Sequence, residues 1–432
     1  MTKPGSHAER EGSQAELIRR SLKRRYRKER RFRLYGITAI SIALFSLVIL
    51  FTDIISKGYT GFIKTTVTLE VHLDDDLMYL NDASDPEQIA MADFQAPIIK
   101  ALQGYFPQAT SRADMRELSR MTGSYASNQV RDMLKANPDW LGTTRTIEFP
   151  AHDTVSVYVK HSGDPGYSIR LSEQQQRWTD ELLSKGVIDT GFNDVFFTSG
   201  DSREPSNAGI LGALVGSLLT MGITLVIAFP VGVAAAIYLE EFAPSNRLTD
   251  FIEVNINNLA AVPSIIFGLL GLAVFIGLFG MPRSVPVVGG LVLALMTLPT
   301  IIISSRAAIK SVPPSIREAA EGIGASKMQV VLHHVLPLAM PGMLTGSIIG
   351  MAQALGETAP LLLIGMVAFI VEIPDGFFSS ATVLPVQIFI WAGSAEQGFV
   401  ELASAGIMVL LAFLITMNAF AIWLRKRLER RW

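Results

Sequence analysis

The segment PPSIREAAEGIGASKMQVVLHHVLP, residues 313–337, lies between two long apolar runs and is the starting point for predicting the fold. Two prolines end the preceding run. Capping boxes are predicted at Ser315–Glu318 and at Ser326–Gln329, each of which would open a helix. Gly324 is the typical left-handed residue after a helix end. The pattern predicts two short helices joined by a tight turn, the second ending near Leu336-Pro337.

The apolar runs around this segment predict the fold class. The chain has 432 residues, of which 49% are hydrophobic, and its mean hydropathy is +0.35. Six runs carry few or no charges and are long enough to cross a bilayer as a helix, which takes about 20 residues; the second and fifth are longer than a crossing needs. They are residues 34–51, 208–239, 259–280, 287–305, 338–371 and 403–424. The prediction is an all-α polytopic membrane protein with six transmembrane helices.

The distribution of charge predicts the topology. Residues 1–33 hold 12 Lys/Arg against 4 acidic residues, and residues 425–432 are also basic. Because basic residues next to spans mark the cytoplasmic side, both termini are predicted to be cytoplasmic. A nucleic-acid-binding arm and a cleaved signal sequence are the alternatives; we expect a retained first transmembrane helix at residues 34–56. The loop at residues 240–258 has four acidic residues and one Arg, and indicates no orientation.

Residues 57–206 are the one large polar piece and are predicted to form a periplasmic α+β domain. They hold 14 Lys/Arg against 22 Asp/Glu, a net charge of −8. TTVTLEVHLDD (65–75) and DTVSVYVKH (153–161) alternate as strands do, whereas residues 117–135 have a helical pattern. No metal site is expected, because the three histidines of the domain lack ligand spacing: His72, His152 and His161. The chain has no cysteine and therefore no disulfide.

A face of small and apolar side chains on the first short helix of the 313–337 segment predicts a docking surface. Its residues are Ile316, Ala319, Ala320 and Ile323. Four basic residues around the segment favour a cytoplasmic location: Arg306, Lys310, Arg317 and Lys327. The alternative is a loop that packs only against its own chain. From the residues alone, a partner is indicated without being identified.

The membrane domain, residues 207–424, contains a second informative stretch. Glycines recur every fourth residue through Gly342, Gly346 and Gly350, which predicts close packing against another helix. The GETAP sequence that follows, residues 356–360, predicts an interruption of the helix. The candidate pathway or gate residues are Gln353, Glu357 and Thr358. Glu357 is interpreted as a gate or inter-subunit ion pair, with a packing hydrogen bond or direct substrate contact as alternatives.

No catalytic residue is predicted. GIGASKM (322–328) only superficially suggests a phosphate loop, since G-x-x-x-x-G-K-[ST] is absent from the chain. The chain is therefore predicted not to be an enzyme. Any ATP hydrolysis must be located on a separate subunit.

The segment resembles the EAA loop of bacterial ABC importer permeases. The matching residues are Glu318, Ala319, Ala320, Gly324, Leu336 and Pro337, with His334 where an aliphatic residue is usual. This resemblance implies that the loop, 313–337, docks on an ATP-hydrolysing subunit. The residues expected to dock are Ser315, Ile316, Glu318, Ala319, Ala320, Gly324 and Ala325.

Finer resemblance points to the phosphate permeases of the PstA type. The stretches that carry it are residues 238–244, 262–269, 352–365 and 384–389. It implies an inner-membrane permease for inorganic phosphate with a second, PstC-type permease, two PstB-type ATPase subunits holding ATP and Mg, and a periplasmic phosphate-binding protein. No cofactor on this chain and no nucleic acid are implied. Residues 57–206 resemble the extra region of a longer subtype. The alternatives are a permease for sulfate or molybdate, or a membrane sensor.

Overall fold

The first helix forms a unit of its own. The computed structural model describes residues 6–164 and 167–428, so the ends of the predicted basic segments, residues 1–5 and 429–432, lie outside the described residues. The chain divides into a unit ending at Ser56 and a unit beginning at Lys57. In the first unit a single helix, α1 (Ser6–Gly58, ending just past the boundary), contains both the basic segment and the first predicted span.

The predicted mixture of strands and helices is found in the inserted domain, residues 57–206. Its sheet consists of β1 (Ile63–His72), β2 (Thr144–Pro150) and β3 (Ile188–Phe192), all antiparallel in the order β2-β1-β3. The inward side chains of β1 are buried against the helices around it. These helices are α2 (Asp75–Met78), α3 (Pro86–Met91), α4 (Ala96–Tyr105), α5 (Arg112–Leu118), α6 (Ala126–Ala136), α7 (Asp153–His161), α8 (Glu173–Ser184) and α9 (Asp194–Thr198).

The strand predicted at residues 153–161 is wrong, because this segment forms α7. The alternating valines suggested a strand, but the buried side chains also follow helical spacing, with Val155, Tyr158 and His161 three residues apart along one face. His152 caps the helix by accepting a hydrogen bond from the Thr154 N–H. Asp153 in the first turn and basic residues in the last turn complement the helix dipole. The strand predicted at residues 65–75 is confirmed as β1.

All the regular elements of the membrane domain are helices. Its helices are α10 (Leu211–Ile237), α11 (Arg247–Ala260), α12 (Ser264–Leu270), α13 (Pro286–Lys310), α14 (Pro314–Gly322), α15 (Lys327–Gln329), α16 (Leu336–Leu355), α17 (Ala359–Leu363), α18 (Leu384–Ala392) and α19 (Gln397–Leu428). Three π-helical segments extend or join them: Tyr238–Phe242, Gly271–Leu278 and Val330–Val335.

Among the described residues, five helices are long and apolar enough to cross a membrane, and a sixth crossing exists if a bent helix pair is one span. That pair is α11 and the helix beginning at Ser264, and the chain bends by 104° at the break between them. Interpreting residues 240–258 as a loop was wrong: much of this stretch is helix α11, which Asn246 caps through the N–H groups of Leu248 and Thr249.

The glycine stripe of α16 packs against α13, as predicted. A Cβ on Gly342 would lie 2.6 Å from the Cβ of Ala308, and one on Gly346 would overlap Ser304. Only a residue without a side chain allows the two helices to approach this closely. The helix then ends at Leu355 and resumes at Ala359, so the predicted interruption at GETAP is confirmed.

Candidate docking hairpin and transport gate

Residues 313–337 are here called the docking hairpin, and their first helix begins two residues earlier than predicted. Helix α14 starts at Pro314 with Pro313 in the N-cap position, and no side chain caps it, so the capping box at Ser315 is wrong. Proline is favoured at the first helical position because its missing N–H would have no partner there. Gly324 follows the helix with φ +90°, as predicted.

The second capping box is confirmed. Ser326 Oγ accepts from the Gln329 N–H at 3.4 Å, and Gln329 Oε1 accepts from the Ser326 N–H at 2.9 Å. The predicted end of this helix near Leu336-Pro337 is wrong. It continues through a π-helical segment into α16 without interruption. Pro337 is tolerated because it lies in the first turn of α16, where the hydrogen-bond register changes from π to α.

The residues expected to dock divide between two faces. Ala320 is buried, and Ile316 and Ala325 are half-buried against an apolar cluster that includes Ile309 and Val330. The exposed members of the set are Ser315, Glu318, Ala319 and Gly324. The single face predicted for α14 is therefore wrong, because Ile316 and Ala320 pack inward while Ala319 and Ile323 point outward. Ile323 is 83% exposed.

Three cationic side chains join the hairpin region to the end of α10. Arg317 donates from Nη2 at 2.8 Å and from Nε at 3.1 Å to Glu241, and also to the carbonyls of Ile309 and Val312. The other two side chains are paired as follows: Arg306 with Glu253 at 2.6 Å and Glu240 at 3.4 Å, and Lys327 over the ring of Phe242 at 5.4 Å.

These contacts explain the acidic residues that gave no orientation signal in the sequence. Glu240, Glu241 and Glu253 neutralise arginines of the next span and of the hairpin, so they form an internal network. The sequence signal was present on both sides: acidic residues follow one span, and basic residues flank the hairpin at the same end of the bundle. The pairing itself required the fold, since Glu241 and Arg317 are 76 residues apart.

The predicted gate residues lie at and beside the break between α16 and α17. Gln353 is exposed, and Glu357 and Thr358 are half-buried. The Glu357 N–H donates to the Ala354 carbonyl, and the Thr358 carbonyl accepts from two N–H groups of α17. Within the described part of the chain, the carboxylate of Glu357 has no hydrogen bond or ion pair. It is thus available to a ligand, to water or to another subunit.

A buried charge cluster that the sequence did not reveal joins the inserted domain to α19. Glu401 is 3% exposed; its carboxylate lies 2.8 Å from His161 Nε2 and 3.3 Å from Lys160 Nζ, both of α7. The His161 ring stacks on Tyr167 with centroids 3.5 Å apart. A carboxylate two residues before an apolar run was a usable signal, because such a group needs a partner. We call Asp153, Lys160, His161 and Glu401 the Glu401 cluster.

Asp153 completes this cluster at the start of α19. Its carboxylate accepts a hydrogen bond from the Gly398 N–H, and a Cβ on Gly398 would overlap it. Burial, followed by the negative charges of Glu401 and Glu396, raises the pKa of Asp153 to about 6. Asp153 also lines two cavities of about 510 and 260 Å³.

The three histidines of the inserted domain have separate partners. His72 contacts Thr144 at 3.0 Å, His152 caps α7, and His161 belongs to the Glu401 cluster. Among the described residues, one group of three carboxylates lies close enough to share an ion: Asp74, Asp75 and Asp76. Asp74 is engaged as the cap of α2 and in an ion pair with Lys100. Asp75 and Asp76 are exposed.

Two protein families match the chain, one over most of the membrane domain and one over the first span and part of the inserted domain. The family described as "Binding-protein-dependent transport system inner membrane component" matches residues 228–432. A family described as a domain of unknown function matches residues 19–168, beginning inside the basic segment and ending within the inserted domain. The second match indicates that the first span and the inserted domain as far as residue 168 recur together in other proteins.

Individual relatives agree with this assignment. The chain is 31% identical over 258 residues to "Probable ABC transporter permease protein YqgI" of Bacillus subtilis, which covers 56% of this chain and 86% of the relative. It is 30% identical over 224 residues to "Phosphate transport system permease protein PstA 1" of Mycobacterium tuberculosis, covering 52% and 72%. A solved inward-facing MetNI methionine ABC transporter gives a TM-score of 0.40 at 19% identity over 50% of this chain and 97% of that chain, too low to add to the assignment.

The helical membrane domain and the family match define a permease subunit of an ABC transporter, a multi-pass protein of the bacterial inner membrane. Within this class, the chain belongs to the PstA-type permeases. The sequence-based assignment is therefore confirmed at the level of the family.

Proposed function

We propose that this chain imports inorganic phosphate, as one permease of a complex with a PstC-type permease, two PstB-type ATPase subunits and a periplasmic phosphate-binding protein. Similarity to permeases named for phosphate transport supports the cargo. The basic N-terminal segment supports cytoplasmic termini and a periplasmic inserted domain. ATP and Mg belong to the ATPase subunits, and this chain performs no catalysis.

The proposal that the docking hairpin binds an ATPase subunit rests on its exposed outer face. Ile323 is 83% exposed and Met328 53% exposed, although both lie in a charged segment between spans. Apolar side chains exposed in this way are typical of a surface that a partner covers. Small exposed neighbours, Ala319 and Gly324, let that partner approach closely. The ATPase subunit is the partner that the family resemblance implies.

The inner face of the hairpin supports a coupling mechanism. Arg317 holds α14 to Glu241 at the end of α10, and the π-helical segment Val330–Val335 connects the hairpin directly to α16. A displacement of the hairpin by closing ATPase subunits would therefore reach two spans at once. Coupling of this kind requires a contiguous physical connection, which these contacts provide.

Glu357 is proposed as a gate or an inter-subunit ion-pair partner. It lies where α16 is interrupted, and its carboxylate lacks a partner among the described residues. A carboxylate repels phosphate, so direct binding is disfavoured. Gln353 and Thr358 supply neutral polar groups nearby, and backbone N–H groups at the broken helix could attract an anion.

Uptake of labelled phosphate by phosphate-starved cells tests the cargo. Cells that lack this chain and every other phosphate importer are compared with and without the restored gene, and labelled sulfate and molybdate serve as controls. We expect selective loss and rescue of phosphate uptake. Rescue of sulfate or molybdate instead would move the assignment to that anion, and rescue of none would favour the membrane sensor.

Gly324→Asp tests docking. Its φ of +90° is strained for a side chain, although a Cβ there would meet no atom within 4 Å. We expect loss of uptake and of transport-coupled ATP hydrolysis, with a normal amount of protein in the membrane. The matched control is Gly142→Asp, which has a φ of +75° and equally open space but lies in the inserted domain. Equal uptake in the two variants would refute docking at this turn.

A further inference from the structure

Three phenylalanines form a row on the surface of the inserted domain. The ring of Phe197 stacks on Phe62 at 5.8 Å and on Phe192 at 5.7 Å, with interplanar angles of 8° in both pairs. Phe192 is 66% exposed and Phe197 39% exposed. We call Phe62, Phe192 and Phe197 the aromatic row. Large apolar rings that are stacked together at a surface are typical of a site that a partner or lipid covers.

The aromatic row is continuous with the membrane domain. Phe196, beside it, contacts Phe62 and then Trp391 of α18, and Trp391 contacts Phe399 of α19. These inner rings belong to a buried apolar cluster of the helical bundle. The row is therefore the exposed end of a series of aromatic rings that begins inside the membrane domain.

The position of the row along α19 gives its depth. A Cβ on Gly61, next to Phe62, would lie 2.8 Å from the Cβ of Ala405 and 3.1 Å from the Glu401 carbonyl oxygen, so this backbone packs closely on α19 at that level. The apolar run of α19, residues 403–424, begins at this level and is roughly 33 Å long at 1.5 Å per residue, which matches the hydrocarbon thickness of a bilayer. Aromatic side chains concentrate where such a run meets the headgroups.

The other end of α19 has a matching arrangement. Phe420 stacks on Trp423 at 5.9 Å, and Arg427 lies over the Trp423 ring at 5.6 Å. Aromatic and cationic side chains at this end mark the second interface of the same run. The aromatic row and the Phe420–Trp423 pair thus stand at opposite ends of one hydrocarbon-length segment.

We propose that the aromatic row is a lipid-binding surface, which inserts Phe192 and Phe197 among phospholipid headgroups and acyl-chain ends and seats the inserted domain on the bilayer. The occupant is phospholipid, because the row is continuous with the lipid-crossing part of the chain and lies at interface depth. The proposal does not depend on the cargo of the transporter.

Site-directed spin labelling tests it, since the chain has no native cysteine. Full-length Phe192→Cys and Phe197→Cys are labelled in vesicles of phosphatidylethanolamine and phosphatidylglycerol. Collisions with oxygen, which partitions into lipid, are compared with collisions with a water-soluble nickel chelate. The controls are Tyr79→Cys and Met91→Cys, which replace side chains of the same domain that are 82% and 89% exposed.

We expect the ratio of oxygen to nickel accessibility to be several-fold higher at the two row positions than at the controls. Equal ratios at all four positions would overturn the proposal. Row labels that are open to nickel in this chain alone, and shielded from both reagents once the second permease is added, would also overturn it in favour of a protein partner. If Phe197→Cys does not fold, Phe192→Cys decides alone, because its side chain is the more exposed.

Discussion

Charged side chains join elements that are distant in sequence at two places in this molecule, and the two places differ in burial. At the docking hairpin, Arg306 and Arg317 are both 23% exposed, and the carboxylates they bind are 9–35% exposed. In the Glu401 cluster, Lys160, His161 and Glu401 are between 3% and 10% exposed. Water therefore reaches the first network and is largely excluded from the second.

This difference suggests different roles. In a partly exposed network, a broken contact is replaced by water, so the charged groups can exchange partners at low free-energy cost. A coupling element that moves needs this property. A buried cluster cannot exchange partners in this way, since separating its charges leaves them unsolvated. The hairpin network is thus suited to rearrange during a transport cycle, whereas the Glu401 cluster holds α7 and α19 together as one body.

Glu401→Ala should have the largest effect and is the strongest test of this distinction. It leaves Lys160 without its carboxylate in a buried position, which costs about 3–5 kcal/mol of folding free energy. Thermal unfolding of the purified protein, followed by tryptophan fluorescence, measures the loss. The matched control, Glu181→Ala, breaks an exposed pair with Lys185 and should cost at most about 0.5 kcal/mol. Similar losses in both variants would contradict a structural role for the cluster.

Much of the hairpin end was predictable, and the Glu401 cluster was not. Capping at Ser326, the left-handed turn at Gly324 and the break at GETAP follow from local chemistry, so short sequence patterns suffice. Lys160 and Glu401 are 241 residues apart in sequence, so no local pattern links them. The error at residues 153–161 has the same origin: valine alternation is local, but which face is buried depends on the sheet above it.

Reversing the charges of the hairpin network should have an intermediate effect. Arg317→Glu or Glu241→Arg alone places like charges about 3 Å apart and breaks charge-assisted hydrogen bonds of about 1.5–3 kcal/mol. Under the proposed coupling, each single change should abolish phosphate uptake while ATP hydrolysis continues. The double reversal should recover part of the uptake, since the bonds from Arg317 to the Ile309 and Val312 carbonyls stay lost. A double variant no better than either single one would argue against this pair.

Asp153→Asn should have the smallest effect, and one that depends on pH. The pKa of Asp153 is raised to about 6 by burial, Glu401 and Glu396, and is lowered by Lys160, so the folded protein favours the protonated acid. Stability contributed by this group is therefore present at low pH and is lost as pH rises through about 6.

The asparagine variant keeps an acceptor for the Gly398 N–H and removes the charge. We expect it to be more stable than the parent protein by about 1–2 kcal/mol at pH 8, with the difference shrinking as pH falls below 6 and vanishing below the ordinary carboxyl pKa of 3.8. Melting temperatures across this range measure the effect. A constant difference at all pH values would show that Asp153 does not titrate in the cluster.

The residues of the Glu401 cluster are far apart in sequence, which limits when the cluster can form during synthesis of the chain. Lys160 and His161 leave the ribosome about 240 residues before Glu401, so α7 is complete long before its partner exists. Until α19 enters the membrane, Lys160 and His161 lack their carboxylate partner, and the inserted domain contacts the bundle through other residues, such as Phe196 on Trp391. The arrival of α19 supplies Glu401, so this contact can form only after the spans that precede α19 in the chain have been synthesised.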